Sequence, residues 1–397
     1  MAMEILKIQK TIAENKADGW LLLDYENHNP AMIALLGEGR MLTRKILLFI
    51  PKKGKPTIIA HAIDTVFLRD EPIQKQFEVI SYKTWQQMLD EEAKLLKPYK
   101  TILMDISENG LLPRVSLADA GSVDYVRSLG LEVASSADLL QSLSAVLTPE
   151  QYQSQIDACQ KTLKIKDEAF AYLRNEILWR GESDELDIQK FISRRFTEEG
   201  MVYDELPIVA IGKNASDPHY GPSEENHSKI HEGDLVLIDM WAKNKAPKSV
   251  YADITWMAYV GKEVPEIYKE RFAIIKAARD GVISFLKDEL PKRKVSAYEA
   301  DDVARRIITE AGYGEYFLHR VGHSIADDDS PHGPGANLDN YESHDTRELM
   351  EGTSFSDEPG IYAPDFGMRT ETDLHIENRQ LIVVGGLQDE IIPLLKD

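Results

Sequence analysis

Short apolar runs alternate with amphipathic stretches over the first 145 residues. The runs that predict strands cover residues 20–23, 46–50, 57–60 and 101–104. Apolar residues at helical spacing predict helices over 84–97 and 116–129. Strands that alternate with helices are typical of a three-layer α/β domain. No glycine-rich loop follows any of these strands, so this region offers no phosphate-binding chemistry of its own.

The sequence around residue 148 marks a boundary between two regions. Thr148 suits the N-cap of a helix and Pro149 suits its first turn. Apolar residues then recur at helical spacing and predict a long amphipathic helix that ends near Trp179. We therefore predict an N-terminal domain over residues 1–146 and a second domain over 147–397.

Beyond residue 206, the predicted strands carry acidic residues where the pattern expects burial. Residues 235–241 and 251–260 predict a hairpin. Alternation places Asp239 on one face with Leu235 and Leu237, and Asp253 shares a face of the next strand with Thr255. Antiparallel pairing of the two strands would bring both carboxylates together. Helices are predicted over 266–287 and 296–311, and strands over 354–357 and 368–376.

Two further acids lie in the late strands. Glu358 directly precedes Pro359, and Glu371 falls in the middle of the strand predicted over 368–376. Burying four carboxylates costs several kcal/mol each unless cations compensate them. Two divalent ions would balance the four charges, and oxygen and imidazole ligands suit Mn, Fe, Co or Zn. Taken one at a time, each acid is more often a turn former or a helix cap.

Histidines are concentrated in one segment of the second region. Four of the ten lie between residues 319 and 344. A lone histidine is usually a surface residue or a satisfied core residue. His319 and His323, close together in His-Arg-Val-Gly-His-Ser-Ile, are harder to explain in that way.

Composition and charge exclude several classes of function. The chain has 46 basic and 67 acidic residues, a formal net charge of −21, and an acidic surface repels phosphate backbones and anionic lipids. Nucleic acid and membrane partners are therefore not expected. The single cysteine, Cys159, lies on an apolar helix face as core packing and cannot form an internal disulfide. With no signal-peptide pattern and no apolar run near ~20 residues, we predict a soluble cytoplasmic protein.

Five residues together resemble a known metal set. The order Asp239, Asp253, His323, Glu358, Glu371 is similar to the dinuclear metal ligands of the pita-bread metallopeptidases. That family comprises Xaa-Pro dipeptidases (prolidases), Xaa-Pro aminopeptidases and methionine aminopeptidases, with creatinase as a metal-free relative. The matching stretches are Leu-Val-Leu-Ile-Asp239, Tyr-Ala-Asp253-Ile-Thr, His319-Arg-Val-Gly-His323-Ser-Ile, Glu358-Pro-Gly-Ile-Tyr and Arg369-Thr-Glu371. The segment 209–220, which contains His219, resembles the family's first-histidine segment.

The resemblance covers nearly the whole chain and implies a fold and an activity. The fold would be an α/β N-terminal, creatinase-like domain followed by an α+β pita-bread catalytic domain. The activity would be that of a binuclear metal-dependent exopeptidase that hydrolyses N-terminal Xaa-Pro bonds of dipeptides or short peptides through a metal-bridging hydroxide. The cofactors would be two divalent metal ions per chain, Mn in the first place, with Co, Zn or Fe as alternatives. A homodimer is the usual assembly in the family.

The resemblance also implies roles for individual residues. Asp239 and Asp253 would chelate one metal, Asp253 and Glu371 would bridge, and His323 and Glu358 would complete the second site. Glu358 would also accept the proton of the attacking water and pass it to the leaving proline nitrogen. The pocket residues would be His219, His319 and His332, which would hold the scissile carbonyl, with Arg369 on the strand face of Glu371 and in contact with a carboxylate.

Three departures from the family pattern indicate a divergent branch. The spacing of nine from His323 to His332 is two residues longer than the family commonly has. The spacing of 14 from Asp239 to Asp253 is three residues longer, and Trp241 stands where a small residue is common. No metal ligand is lost. Two alternatives stay open: a non-catalytic pita-bread binding protein, and a metal hydrolase of a non-peptide amide or ester. The sequence does not separate dipeptidase from aminopeptidase.

Overall fold

A computed structural model describes the backbone of residues 2–396 and the side chains of residues 5–396. The chain divides into two compact units, Met1–Leu140 and Gln141–Asp397. The domain boundary that we predict between residues 146 and 147 stays a prediction. Among the helices of residues 2–396, none combines the length and the apolar composition needed to cross a bilayer.

The first unit contains a six-stranded mixed sheet with the order β4-β3-β2-β1-β5-β6. The strands are β1 (Gly19–Asp24), β2 (Ile46–Pro51), β3 (Thr57–His61), β4 (Glu78–Tyr82), β5 (Thr101–Met104) and β6 (Glu132–Ser135). β1 pairs antiparallel with β2 and parallel with β5, while β3–β4 and β5–β6 are parallel pairs. All six residues of β1 and of β2 are buried, as expected for central strands covered on both faces.

Helices flank this sheet and begin where local capping allows. They are α1 (Ala2–Glu14), α2 (Pro30–Leu36), α3 (Glu71–Gln76), α4 (Trp85–Leu96), α5 (Ala120–Ser128) and α6 (Ala137–Ser144). α4 agrees with its prediction because Thr84 caps it, accepting the Gln87 N–H at 3.2 Å. The prediction of α5 begins four residues too early, because Asp119 is the cap and accepts the Ser122 N–H at 2.9 Å.

The second unit begins with a long helix, α7 (Pro149–Arg180). Thr148 and Gln151 form a capping box: the Thr148 hydroxyl accepts the Gln151 N–H, and the Gln151 side chain accepts the Thr148 N–H. Gly181 ends the helix with φ 78°, a left-handed conformation that suits glycine. Both ends of this helix therefore agree with the sequence prediction.

A long hairpin forms the centre of the second unit. It consists of β11 (Leu235–Asn244) and β12 (Ala252–Tyr259), paired antiparallel. On one face of the hairpin, Leu235 and Leu237 belong to one apolar cluster. On the other face, Ile238 and Met240 belong to a second cluster that includes residues of α7. Since both faces are covered, polar side chains in the middle of these strands, such as Asp239 and Asp253, are buried.

The remaining elements of the second unit surround this hairpin. The helices are α8 (Glu185–Glu198), α9 (Glu266–Glu289) and α10 (Tyr298–Glu310). The strands are β7 (Glu182–Asp184), β8 (Met201–Val202), β9 (Ile208–Ile211), β10 (Lys229–His231), β13 (Ser324–Ile325), β14 (Ser354–Asp357), β15 (Gly360–Ala363), β16 (Phe366–Arg369), β17 (Thr372–Glu377), β18 (Gln380–Val383) and β19 (Ile392–Pro393). β14 has the predicted bounds. The single strand predicted over 368–376 is wrong, because Thr370 and Glu371 separate β16 from β17.

Candidate metal centre

The hairpin brings Asp239 and Asp253 to one region of the core. Asp239 lies opposite Thr255, and Asp253 lies opposite Trp241, so the two acids are diagonal neighbours across the strand pair. Both side chains are buried, with exposures of 7% and 4%. The pairing predicted from the alternating pattern is thus present, although β11 is three residues longer than predicted.

His323 and Glu358 reach the same region from the ends of short strands. His323 directly precedes β13, and Glu358 directly follows β14. The Ser356 hydroxyl joins them, since it accepts the His323 N–H at 2.9 Å and donates to Glu358 Oε1 at 3.1 Å. His323 Nδ1 lies 3.2 Å from the Ser324 carbonyl and must donate to it, which leaves Nε2 as an electron-pair donor.

The Nε2 atom of His323 faces carboxylates. It lies 3.5 Å from Asp253 Oδ2 and 3.4 Å from Glu358 Oε1. Ligand atoms of Asp253, His323 and Glu371 all lie within 4.8 Å of one another. Three buried electron-pair donors that converge in this way repel each other unless a cation lies among them.

Glu371 lies outside the strands, and its backbone is held by a hydrogen bond to β12. Its N–H donates to the Thr255 carbonyl at 3.1 Å. The Thr255 hydroxyl lies 2.7 Å from Glu371 Oε2 and 3.0 Å from Asp239 Oδ1, and its single proton can serve only one of the two. The strand break at 370–371 therefore turns Glu371 toward the hairpin acids.

Burial and mutual repulsion set the protonation of these carboxyls. Burial, and next the charge of Glu371, holds the pKa of Asp253 well above its usual range. The pKa of Glu371 is raised in the same way by burial and by Glu358 and Asp239. Burial raises the pKa of Glu358 to about 7, although Arg369 and Arg320 oppose the shift. These raised pKa values mean that the carboxyls cannot all be ionised together unless a cation compensates their charge.

Arg369 connects the acids to a second polar chain. Its guanidinium pairs with Asp239 Oδ2 and donates to the Thr255 hydroxyl at 2.9 Å and to the Tyr362 hydroxyl at 2.8 Å. Tyr362 lies 2.8 Å from His319 Nε2, and His319 Nδ1 lies 2.6 Å from the Arg320 carbonyl. The carbonyl fixes the proton on Nδ1, so His319 accepts from Tyr362. Burial, and next Arg369, lowers the pKa of His319 to about 3, so this imidazole is neutral.

The structure also places His332 beside the cluster. The rings of His323 and His332 meet edge to face, with centroids 4.2 Å apart. The His332 side chain is exposed on one side, whereas His323 is buried. A group at this position borders the cluster and remains open to solvent.

His219 lies apart from the set. Its side chain is exposed, and its N–H donates to Asp217 Oδ1 at 3.0 Å. Within residues 5–396, no hydrogen bond, ion pair or ring contact joins the His219 side chain to the acidic cluster. A pocket role for His219 stays a prediction.

A divalent cation fits the buried group of Asp253, His323 and Glu371. The surrounding residues Asp239, Asp253, His323, Glu358 and Glu371 offer four carboxylates and one imidazole; all but the half-buried Glu358 are buried, and buried Arg369 pairs with Asp239. The oxygen and imidazole donors suit Mn, Fe, Co or Zn. Cys159, the only thiol, is buried and donates to Asp373, so it does not belong to the ligand set.

Sequence reasoning missed three hydroxyls that hold the site together. The Thr255 hydroxyl lies beside Asp239, and the Ser356 hydroxyl donates to Glu358. The Tyr362 hydroxyl donates to His319. Thr255 shares a strand face with Asp253, and Tyr362 stands within Glu358-Pro-Gly-Ile-Tyr, so both carried a usable signal in the sequence. Ser356 carried none, because serine is common in such strands.

Comparison with known proteins identifies the family. Residues 156–378 match the model of metallopeptidase family M24. The chain is 33% identical over 207 residues to the Xaa-Pro dipeptidase of Lactobacillus helveticus, a match that covers 51% of this chain and 49% of that protein. The chain thus spans about half the length of the curated relatives that it matches first.

Solved structures resemble the chain over its full length. A dipeptidase PepE from Mycobacterium ulcerans matches with a TM-score of 0.66 at 21% identity, covering 99% of this chain and 97% of that one. An Xaa-Pro dipeptidase from Bacillus anthracis matches with a TM-score of 0.57 at 23% identity, covering 99% of both chains. At these identities the likeness establishes the fold alone.

The chain belongs to metallopeptidase family M24. The predicted fold class is confirmed: an α/β N-terminal domain precedes an α+β pita-bread catalytic domain. Family M24 is metal-dependent, and the buried Asp253, His323 and Glu371 group is consistent with a metal site.

Proposed function

We propose that this protein is a binuclear metal-dependent exopeptidase that hydrolyses the bond between an N-terminal residue and proline in dipeptides or short peptides. The observation that carries the proposal is the approach of His323 Nε2 to Asp253 and Glu358 within a buried acidic cluster. Relatives named Xaa-Pro dipeptidase support the substrate class. Manganese is the metal proposed first, and a homodimer is the proposed assembly.

The ligands would be Asp239, Asp253, His323, Glu358 and Glu371. Bound divalent ions would supply Lewis acidity that lowers the pKa of a water at the site. Glu358 would accept a proton from that water and deliver it to the leaving nitrogen.

The neighbouring residues would orient the reacting groups. Arg369 holds Asp239 and, through Tyr362, the neutral His319. His332, beside His323 and open to solvent, would contact the scissile carbonyl. His219 is proposed for the substrate pocket on the resemblance of its segment alone.

A screen of metal-reconstituted protein tests the activity. Xaa-Pro dipeptides, longer Xaa-Pro peptides and matched Xaa-Ala peptides are supplied with Mn, Co, Zn or Fe. We expect hydrolysis of the prolyl substrates, and the ratio of dipeptide to longer-peptide rates separates dipeptidase from aminopeptidase. No hydrolysis of any peptide with any of these metals would reject the proposal.

Glu358→Gln tests the proposed base. The amide oxygen can still coordinate a metal but cannot accept a proton at neutral pH. Proton transfer by a positioned group contributes about 10²–10⁴-fold in rate, so kcat should fall at least about a hundredfold. Metal content, measured by elemental analysis, should fall much less than in Asp253→Asn. A kcat close to that of the wild type would assign the base to another group.

A further inference from the structure

The N-terminal unit contains a cavity of about 340 Å³ that the proposed peptidase activity does not use. It lies at the carboxyl end of β1, where Asp24 ends the strand and Asn29 caps α2. Lys45 borders it from the start of β2, and Asp119, the cap of α5, borders it from the segment that follows β5. All of these residues belong to the first unit.

The topology of the sheet favours ligand binding at this point. β1 and β5 are parallel neighbours, and the parallel crossovers β3–β4 and β5–β6 lead outward in opposite directions from them. The winding of the sheet therefore reverses between β1 and β5. In open α/β sheets the crevice outside the carboxyl ends of the strands at such a reversal is the usual ligand site.

Asp24 offers an unused acceptor at the cavity. Its Oδ1 atom accepts the backbone N–H groups of Tyr25, His28 and Asn29 at 2.7, 2.8 and 3.1 Å. Asp24 is only 5% exposed, and its buried Oδ2 atom has no hydrogen-bond partner. A buried carboxylate oxygen left unpaired is destabilising, and a donor group on a ligand would satisfy it.

Lys45 offers the opposite charge. Its ammonium contacts the Ser122 hydroxyl and lies 3.5 Å from Asp119 Oδ2, with 29% of the lysine side chain exposed. Nearby Glu92 is 2% exposed, and its Oε1 atom has no partner. Burial raises the pKa of Glu92 to about 7, so that its charge offsets that of Lys45 only in part. The cavity is therefore bordered by the Asp24 carboxylate and by the Lys45 ammonium, which is paired with Asp119.

We propose that this cavity binds a small zwitterion of the α-amino-acid class. The ligand's ammonium group donates to Asp24 Oδ2, and its carboxylate pairs with Lys45. A volume of about 340 Å³ is at the small end of the ligand-pocket range of roughly 300–1,000 Å³, which suits a free amino acid. None of the residues that line the cavity belongs to the second unit, which contains the metal centre.

Calorimetric titration of the full-length chain tests the proposal. The probes are glycine and L-proline, with acetate and methylamine as the two half-ligands. We expect saturable binding of the zwitterions and at least about tenfold weaker binding of each half-ligand, the equivalent of one lost charged contact. Acetate that binds as tightly as glycine would overturn the zwitterion class, and so would the absence of saturable binding by every probe.

Three variants locate the binding site. Asp24→Asn keeps the oxygen that accepts three backbone N–H groups, and Lys45→Met keeps most of the side-chain length. Each should weaken zwitterion binding at least about tenfold. Lys52→Met, which removes a lysine paired with Asp18 in the same unit, should bind like the wild type.

The metal-centre variant Asp253→Asn separates the two sites and should bind the zwitterion like the wild type. Loss of binding in Asp253→Asn would place the ligand at the metal centre and overturn the proposal. Wild-type affinity in both Asp24→Asn and Lys45→Met would also overturn it. Near-ultraviolet circular dichroism checks that each variant is folded.

Discussion

At the scale of single residues, His332 lies against His323 although the segment between them is two residues longer than the family pattern. The segment that separates it from His323 begins and ends at fixed points, because Gly333 N–H donates to the Ser324 carbonyl at 2.6 Å and Gly335 N–H donates to the Ser324 hydroxyl at 3.0 Å. The additional length is accommodated between these anchors, where Asp328 and Asp329 are exposed. The histidine consequently returns to the ring of His323.

His332→Ala should lower kcat/KM on an Xaa-Pro peptide by about ten- to a hundredfold, the loss expected for one hydrogen bond to a developing charge. Metal content should stay unchanged, because His332 is not among the proposed ligands. His231→Ala, which removes an exposed histidine beside Glu182, is the matched control and should leave kcat/KM unaltered. An unchanged kcat/KM in His332→Ala would show that this ring does not contact substrate.

At the scale of elements, one carboxylate joins α7, β12 and β17. Asp373 Oδ2 on β17 accepts the Cys159 S–H of α7 and the Asp253 N–H of β12, both at 3.1 Å. Burial raises the pKa of Asp373 to about 7, while these two donors act in the opposite direction. Cys159 therefore does more than pack in the apolar core. Its S–H donates to Asp373, and Asp373 in turn accepts the backbone N–H of Asp253, a proposed metal ligand.

Cys159→Ala should weaken Mn²⁺ binding severalfold and lower the free energy of unfolding by about 1 kcal/mol, since it removes one donor from Asp373. Cys159→Ser retains a donor and should keep most of the metal affinity. Isothermal titration with Mn²⁺ and denaturant unfolding measure the two effects. Equal loss of metal affinity in both variants would assign the effect to side-chain volume instead of hydrogen bonding.

At the scale of the whole molecule, buried acids make stability depend on pH. Glu92 is the clearest case outside the metal centre: burial raises its pKa from 4.5 to about 7, against the charge of Lys45 and with the help of Asp119. Between these two values the folded chain binds more protons at Glu92 than the unfolded chain does. The free energy of unfolding therefore falls as the pH rises through this window.

Glu92→Gln should flatten this part of the profile. The stabilisation present in the wild type below pH 4.5 is lost progressively up to about pH 7, and the shift corresponds to roughly 3 kcal/mol at 1.36 kcal/mol per pKa unit. Denaturant unfolding at several pH values from 4 to 8 measures the difference between wild type and variant. Glu91→Gln on the same helix is the control and should retain the wild-type slope; an unchanged slope in Glu92→Gln would contradict the prediction.

Features governed by local hydrogen bonding could be predicted from the sequence by itself. The bounds of α7 follow from Thr148, Pro149 and Gly181, which act on the nearest helical turn. The hairpin that carries Asp239 and Asp253 follows from the alternation of apolar and polar residues. Together with the order of the acidic and histidine motifs, these patterns were sufficient to indicate the family and the fold.

Only the tertiary structure decided the features that depend on distant residues. The break at 370–371 exists because Glu371 bonds to Thr255, 116 residues away, in place of continuing a strand. Arg369 pairs with Asp239 across 130 residues, and no local pattern specifies that partner. The cavity beside Asp24 likewise arises where β1 meets β5, strands that are distant in the chain. Chain spacing sets local geometry, whereas packing of the core selects which of many distant polar groups meet.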